Sequence, residues 1–142
     1  MKWSFALAAA VALTMLFGLP FREHDTAKLL PAKTLQVERL KDGAVHLVSE
    51  IGEGIGKTWR AAVDDLRDNA SGEVFFQTVE QVVFCGEALT IVPEALESGD
   101  LRPSAQIYEA ASLQKTEGLY DYLSAHEGCV SVGELRASYA EQ

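Results

Sequence analysis

The chain has 142 residues, 48% of them hydrophobic, and a formal net charge of −9 at pH 7. That balance weighs against nucleic acid and anionic lipid headgroups as partners, because phosphate binding needs clustered Lys and Arg, and here 12 basic residues are scattered singly among 21 acidic ones. With the apolar amino terminus set aside, about 120 residues remain, enough for one domain with one core and too few for a second.

Residues 3–21 carry no charge between Lys2 and the polar stretch Arg22-Glu23-His24-Asp25. At about 1.5 Å per residue, a helix of that length nearly crosses a hydrocarbon core of about 30 Å. A cleaved signal peptide would instead end in small residues. Here Ala8, Ala9, Ala10 and Ala12 sit in mid-run, and the end, Phe17-Gly18-Leu19-Pro20-Phe21, is bulky. Residues 1–21 are therefore expected to stay as a membrane anchor; cleavage, and with it secretion, is the alternative. A lipoprotein would need a cysteine just after the run, but the two cysteines are Cys85 and Cys129. A short tail bearing Lys2 favours a cytoplasmic start and an extracytoplasmic domain, against the opposing pull of Arg22, Lys28 and Lys33. Residues 22–33, of mixed charge and with Pro31, read as a linker, and residues 34–142 as a single domain.

Within the domain, residues 34–40 and 44–51 alternate in polarity. Leu35 and Val37 are expected to face Val45 and Leu47 across Asp42-Gly43, a two-residue hairpin signal. The run Gly52-Glu53-Gly54-Ile55-Gly56 reads as a glycine-rich turn. Thr58 is positioned to cap a helix whose Trp59, Ala62, Val63 and Leu66 share one face, leaving Asp64, Asp65 and Asp68 to water. After a break over residues 69–72, Val74-Phe75-Phe76 leads into residues 79–85, an almost wholly apolar run of the kind found in a central strand covered on both faces. Residues 87–97 read as helical with a break at Pro93, residues 104–110 as a strand, and residues 116–126 as a short helix presenting Leu119, Tyr122 and Leu123. Ser131-Val132-Gly133-Glu134 is a capping box opening a last helix with Leu135 and Tyr139 inward. The alternation predicts an α/β (α+β) domain: a mixed sheet of about four strands that opens with a hairpin, three to four flanking helices, and right-handed crossovers.

Several short patterns imitate chemistry. Gly52, Gly54, Gly56, Lys57 and Thr58 resemble a phosphate loop, but only three residues separate Gly52 from Gly56 where the loop needs four. A plain strand-to-helix connection fits better, with a weak anion site at the helix start as the alternative. Ser112-Leu113-Gln114-Lys115 has the Ser-x-x-Lys spacing of penicillin-binding hydrolases without their companion motifs, so a helix-start serine is expected. Cys85 lies among apolar neighbours, which implies a buried, inert thiol; pairing with Cys129 is the alternative in an extracytoplasmic domain. His24, His46 and His126 are too dispersed for helical metal spacing, and His46 is expected to face solvent from its strand. Asp64, Asp65 and Asp68 read as a solvated face with Arg60 and Arg67 as partners rather than a calcium loop. Asn69-Ala70-Ser71 fits the short N-glycosylation pattern.

Taken in order, Gly56-Lys57-Thr58-Trp59-Arg60-Ala61-Ala62-Val63-Asp64-Asp65-Leu66, then Val82-Val83-Phe84-Cys85-Gly86-Glu87-Ala88-Leu89, then Leu101-Arg102-Pro103-Ser104-Ala105, and last Gly118-Leu119 to Leu123 resemble the N-terminal domain of the Ger(x)C family. These are the C subunits of spore germination nutrient receptors. The resemblance spans residues 33–123 and implies a non-catalytic, free-standing paralogue of that first domain, without cofactor, which binds other membrane or envelope proteins such as germination receptor subunits. Family members are usually lipoproteins with further domains; here a helical anchor would replace the lipid, and Gln77-Thr78 stands where the family commonly has Gly-His. The turns containing Gly52, Gly54, Gly56 and Lys57, and Arg102 and Pro103, are the candidate contact residues, because loops on a rigid scaffold commonly carry recognition. A small-ligand-binding envelope protein, or a hydrolase using Ser112, are the competing functions.

Overall fold

The alternating stretch at residues 34–51 forms two antiparallel strands, β2 (Thr34–Arg39) and β3 (Val45–Ser49), in a computed structural model that describes residues 29–126, 128 and 130–142. The expected anchor, His24 and Cys129 lie outside the described residues. Val37 pairs with Leu47 as expected, while Leu35 stands opposite Ser49 and Val45 opposite Arg39. The connection is a three-residue loop rather than a two-residue one: Leu40 N–H donates to the Ala44 carbonyl, and Gly43 closes the turn at φ 85°. This is the geometry of a turn followed by a left-handed residue, which is why glycine is needed there.

A further strand, β1 (Leu29–Pro31), lies inside the stretch expected to be linker and pairs in parallel with β5 (Glu73–Phe75). Ordered structure thus begins before residue 34. The main sheet has six strands, more than the four expected. Its order is β4 (Gly52–Gly56), β3, β2, β6 (Gln81–Cys85), β7 (Gln106–Ala110) and β8 (Val130–Ser131). β2, β6 and β7 run parallel, and β3, β4 and β8 are antiparallel to their neighbours. The described residues form four α-helices: α1 (Trp59–Asn69), α2 (Val92–Glu97), α3 (Leu119–Ser124) and α4 (Val132–Ala140). The protein is therefore mixed α+β, with helices on both faces of a mixed sheet.

Side-chain alternation along the strands divides the core in two. Leu35, Val37, Val45, Leu47, Val82, Phe84 and Ile107 face α1 and α2 and bury Trp59, Ala62, Val63, Leu66, Ala95 and Leu96 with them. On the other face Val83, Cys85 and Tyr108 pack beneath Leu119 and Leu123 of α3. All five residues of β6 are buried, as its apolar run predicts for a strand covered on both sides. Thr58 caps α1 by accepting the Ala61 N–H at 3.1 Å, and the Ser131–Glu134 capping box opens α4. Tyr139 departs from expectation. It is exposed, because α4 is held to the core mainly by Val132 and Leu135 near its start. The helical stretch before it also splits: residues 86–91 form a 3-10 helix, and α2 follows with Pro93 in its first turn, where a missing N–H costs nothing.

Two buried glutamines fasten the α3 layer to the sheet. Gln36 donates from Nε2 to the Gln114 carbonyl at 2.9 Å and accepts the Gln114 N–H at 2.8 Å, pinning the segment that crosses back from β7. Gln81 accepts from the Thr34 hydroxyl at 3.0 Å and donates to the Tyr120 carbonyl and Ser124 Oγ. Gln81→Leu should cost about 1–3 kcal/mol, since the buried Thr34 hydroxyl loses its acceptor. Hydrogen exchange in α3 should accelerate more than exchange in α1; equal acceleration in both would mean that Gln81 does not dock α3.

Candidate functional site

The residues expected to make contacts fall at opposite edges of the sheet. Gly52–Gly56 is not a turn but the edge strand β4, hydrogen-bonded along β3 and packed beneath α1. A Cβ on Gly54 would stand 2.3 Å from the Ala62 carbonyl oxygen, and one on Gly56 2.4 Å from the Ala62 nitrogen. These two glycines let the helix backbone approach the strand, and Gly54 is buried there. Nor can the stretch wrap a phosphate. Its backbone is extended and paired, and Ile55 N–H on the outer edge donates to Asp65 Oδ2 at 2.8 Å. Asp65, expected to face water, thereby blocks an edge that would otherwise invite strand pairing. Lys57 is exposed in the short link before α1.

Arg102 and Pro103 lie across the sheet, in the link from α2 to β7. The Pro103 carbonyl accepts the Gly133 N–H at 2.8 Å, so this turn anchors α4. Arg102 extends to Glu80 Oε1 at 3.7 Å, and Glu80 also accepts the Tyr120 hydroxyl. That hydrogen bond, followed by burial and the nearby carboxylate charge, raises the Tyr120 pKa. Glu80 and Arg102 line a polar cleft of about 500 Å³ with Ser104, Gln106 and His126.

Periodicity did not single out a further surface, the sheet face shared with α3. There a groove of about 710 Å³ runs between α3 and strands β6 and β7, floored by Val83, Tyr108 and Ala110 and walled by Leu119, Tyr122 and Leu123. Tyr122 is 64% exposed, and its ring lies 4.5 Å from that of His126. Lys115, Glu109 and Glu117 rim the groove. Tyr122 had been identifiable only as one residue of a short amphipathic helix; its exposure arises because six residues of α3 cannot bury every apolar side chain they carry.

Further along the same face, His46 is not simply solvent-facing. Its Nδ1 lies 3.2 Å from Glu38 Oε2 and its Nε2 3.1 Å from Glu53 Oε2, forming a row across β2, β3 and β4. Both ring nitrogens thus lie within hydrogen-bond distance of a carboxylate. Glu38 is in register with Cys85 on the next strand. Cys85 is free and buried. Burial, and then the Glu38 charge, push its thiol up to about 11. It is therefore a neutral thiol at pH 7 and no nucleophile. In the folded chain Cys85 should resist iodoacetamide at pH 8 and react once urea unfolds it; rapid labelling of the folded chain would contradict this burial.

Ser112, expected at a helix start, lies instead in the irregular segment between β7 and α3, where its carbonyl accepts from Gln114 Nε2. Among the described residues no group of three or more His, Cys, Asp and Glu side chains is arranged to hold a metal ion, and no helix is long and apolar enough to cross a membrane. Comparison of the chain with protein-family models, with curated proteins and with solved structures finds no match.

Proposed function

We propose that this protein is a non-catalytic, membrane-tethered module whose domain lies outside the cytoplasm and binds other envelope proteins. The resemblance to the first domain of spore germination receptor C subunits supplies the kind of partner, namely the multi-span subunits of such a receptor. The observation that carries the reading is the groove beside α3, an apolar surface with Tyr122 projecting from it. An exposed aromatic set over a rigid sheet is a common interface anchor. Lys57, Arg102 and Pro103 remain contact residues of this reading; Gly54 and Gly56 serve packing.

Co-expression of the full chain with neighbouring multi-span receptor subunits, followed by detergent co-purification, tests the proposal. Wild type should co-purify, and Tyr122→Arg should reduce recovery about tenfold, as expected when an interface anchor worth more than about 1.4 kcal/mol is lost. Ser112→Ala should leave both folding and recovery unchanged. Failure of wild type to associate would sink the interaction reading, and loss of function in Ser112→Ala with intact folding would favour a hydrolase. A second reading rests on the groove's volume, which falls within the range of small-molecule sites. A nutrient that raises the melting temperature in proportion to its concentration, with the rise abolished by Leu119→Arg, would favour ligand binding.

A further inference from the structure

We propose that the outward face of the β1–β5 ribbon is the surface that rests against the bilayer. This rests on the tether reading above and adds an orientation to it. In the parallel pairing Leu30 and Val74 turn inward, while Leu29, Pro31 and Phe75 turn outward. Leu29 is 47% and Phe75 46% exposed, two large apolar side chains on neighbouring strands that the described residues leave about half uncovered. Their position along the chain says what covers them. The apolar run ends at Phe21, eight residues before Leu29. Eight residues span at most about 29 Å even when fully extended, whereas a domain of this size is about 34 Å across, taking a radius of gyration of about 13 Å. The tether is too short for the domain to turn β1 away from the membrane freely, and β1 is its point of entry.

The contact is an apolar one. Glu73 shares the outward face opposite Leu29, and the chain as a whole is acidic, which weighs against recruitment by anionic headgroups. Proline, leucine and phenylalanine instead suit the boundary between headgroups and acyl chains of a zwitterionic bilayer, where burial of apolar area supplies the binding.

Full-length protein reconstituted in phosphatidylcholine vesicles, with and without lipid brominated on the acyl chains, tests this by tryptophan quenching. Trp3→Phe provides the background, because the remaining Trp59 is completely buried. Adding Phe75→Trp should introduce fluorescence that brominated lipid quenches at least twofold, whereas Tyr122→Trp, on the opposite face of the sheet, should be quenched little. Carbonate extraction of the same vesicles separates the two levels of the argument. Protein that stays in the membrane while the residue 75 tryptophan is unquenched by lipid but quenched by aqueous iodide overturns the orientation and leaves the tether standing. Shielding from both quenchers also overturns it, by showing that residues 1–28 or a second copy cover the ribbon. Protein released by carbonate would remove the tether, and the orientation with it.

Discussion

Gly54→Val should destabilise the fold by about 3 kcal/mol or more, the upper part of the range for overpacking, because the new atoms would meet backbone rather than a side chain that can rotate away. A Cβ at this position lies 2.3 Å from the Ala62 carbonyl oxygen, 2.5 Å from the Leu66 nitrogen and 2.6 Å from the Leu66 Cβ. The helix must lift from β4, and in doing so it withdraws Leu66 and Val63 from Leu47 and Val45 in the shared core. Gly54→Ala should show the same effect in smaller measure. Ile55→Ala, at a half-exposed position on the same strand, should change stability by less than about 0.5 kcal/mol. Urea unfolding of the full chain in detergent micelles reads all three; a Gly54→Val midpoint equal to that of Ile55→Ala would mean that α1 does not sit this close to the strand.

The same residues explain what could be read ahead of the structure and what could not. Glycine is depleted in strands because it brings no side chain to pack, so Gly52-Glu53-Gly54-Ile55-Gly56 reads as a turn from local preference alone. The missing information is long-range. Glycines at every second position leave one face of a strand bare, and only the helix that fills that face makes this stabilising. β1 was hidden for a related reason, since three residues form a strand only when β5 lies beside them. By contrast, the hairpin, the Thr58 cap, the inward face of α1, the largely apolar β6 and the Ser131 capping box depend on neighbours within a few positions, and all were legible. Cys85 belongs with them: its apolar surroundings imply an inert thiol, and β6 buries it. The groove beside α3 lies between these cases. Leu119 and Leu123 were legible as an apolar stripe, but the return of residues 111–117 across the sheet depends on Gln36, which stands 78 positions from Gln114.

The tryptophan at the start of α1 tests whether the two helices and the sheet act as one unit. Trp59 is fully buried, and its side chain is among the largest in the core. It also joins elements through polar contacts. Its indole Nε1 donates to Asp100 Oδ2 at 3.1 Å, while its backbone N–H donates to Glu94 Oε1 of α2 at 2.9 Å. The Glu94 carboxylate thereby satisfies one of the unpaired donors at the start of α1, where negative charge is favoured by the helix dipole. Trp59→Ala should cost about 3–5 kcal/mol, the usual range for emptying an aromatic core site, and should shift the urea midpoint downward by more than any single surface change. Trp59→Phe separates the packing from the hydrogen bond. It keeps most of the ring volume and the backbone contact to Glu94, and it removes the donor to Asp100, for a loss of about 1.5–3 kcal/mol expected of a bond to a charged acceptor. Among the described residues the Asp100 carboxylate then retains Arg67, 3.6 Å away. If Asp100→Asn is added to Trp59→Phe, the second change should cost less than it does alone, because the two side chains share one interaction. Full additivity of the pair would show that the indole and the carboxylate contribute independently, and that the Trp59–Asp100 contact does not join α1 to the α2–β7 link.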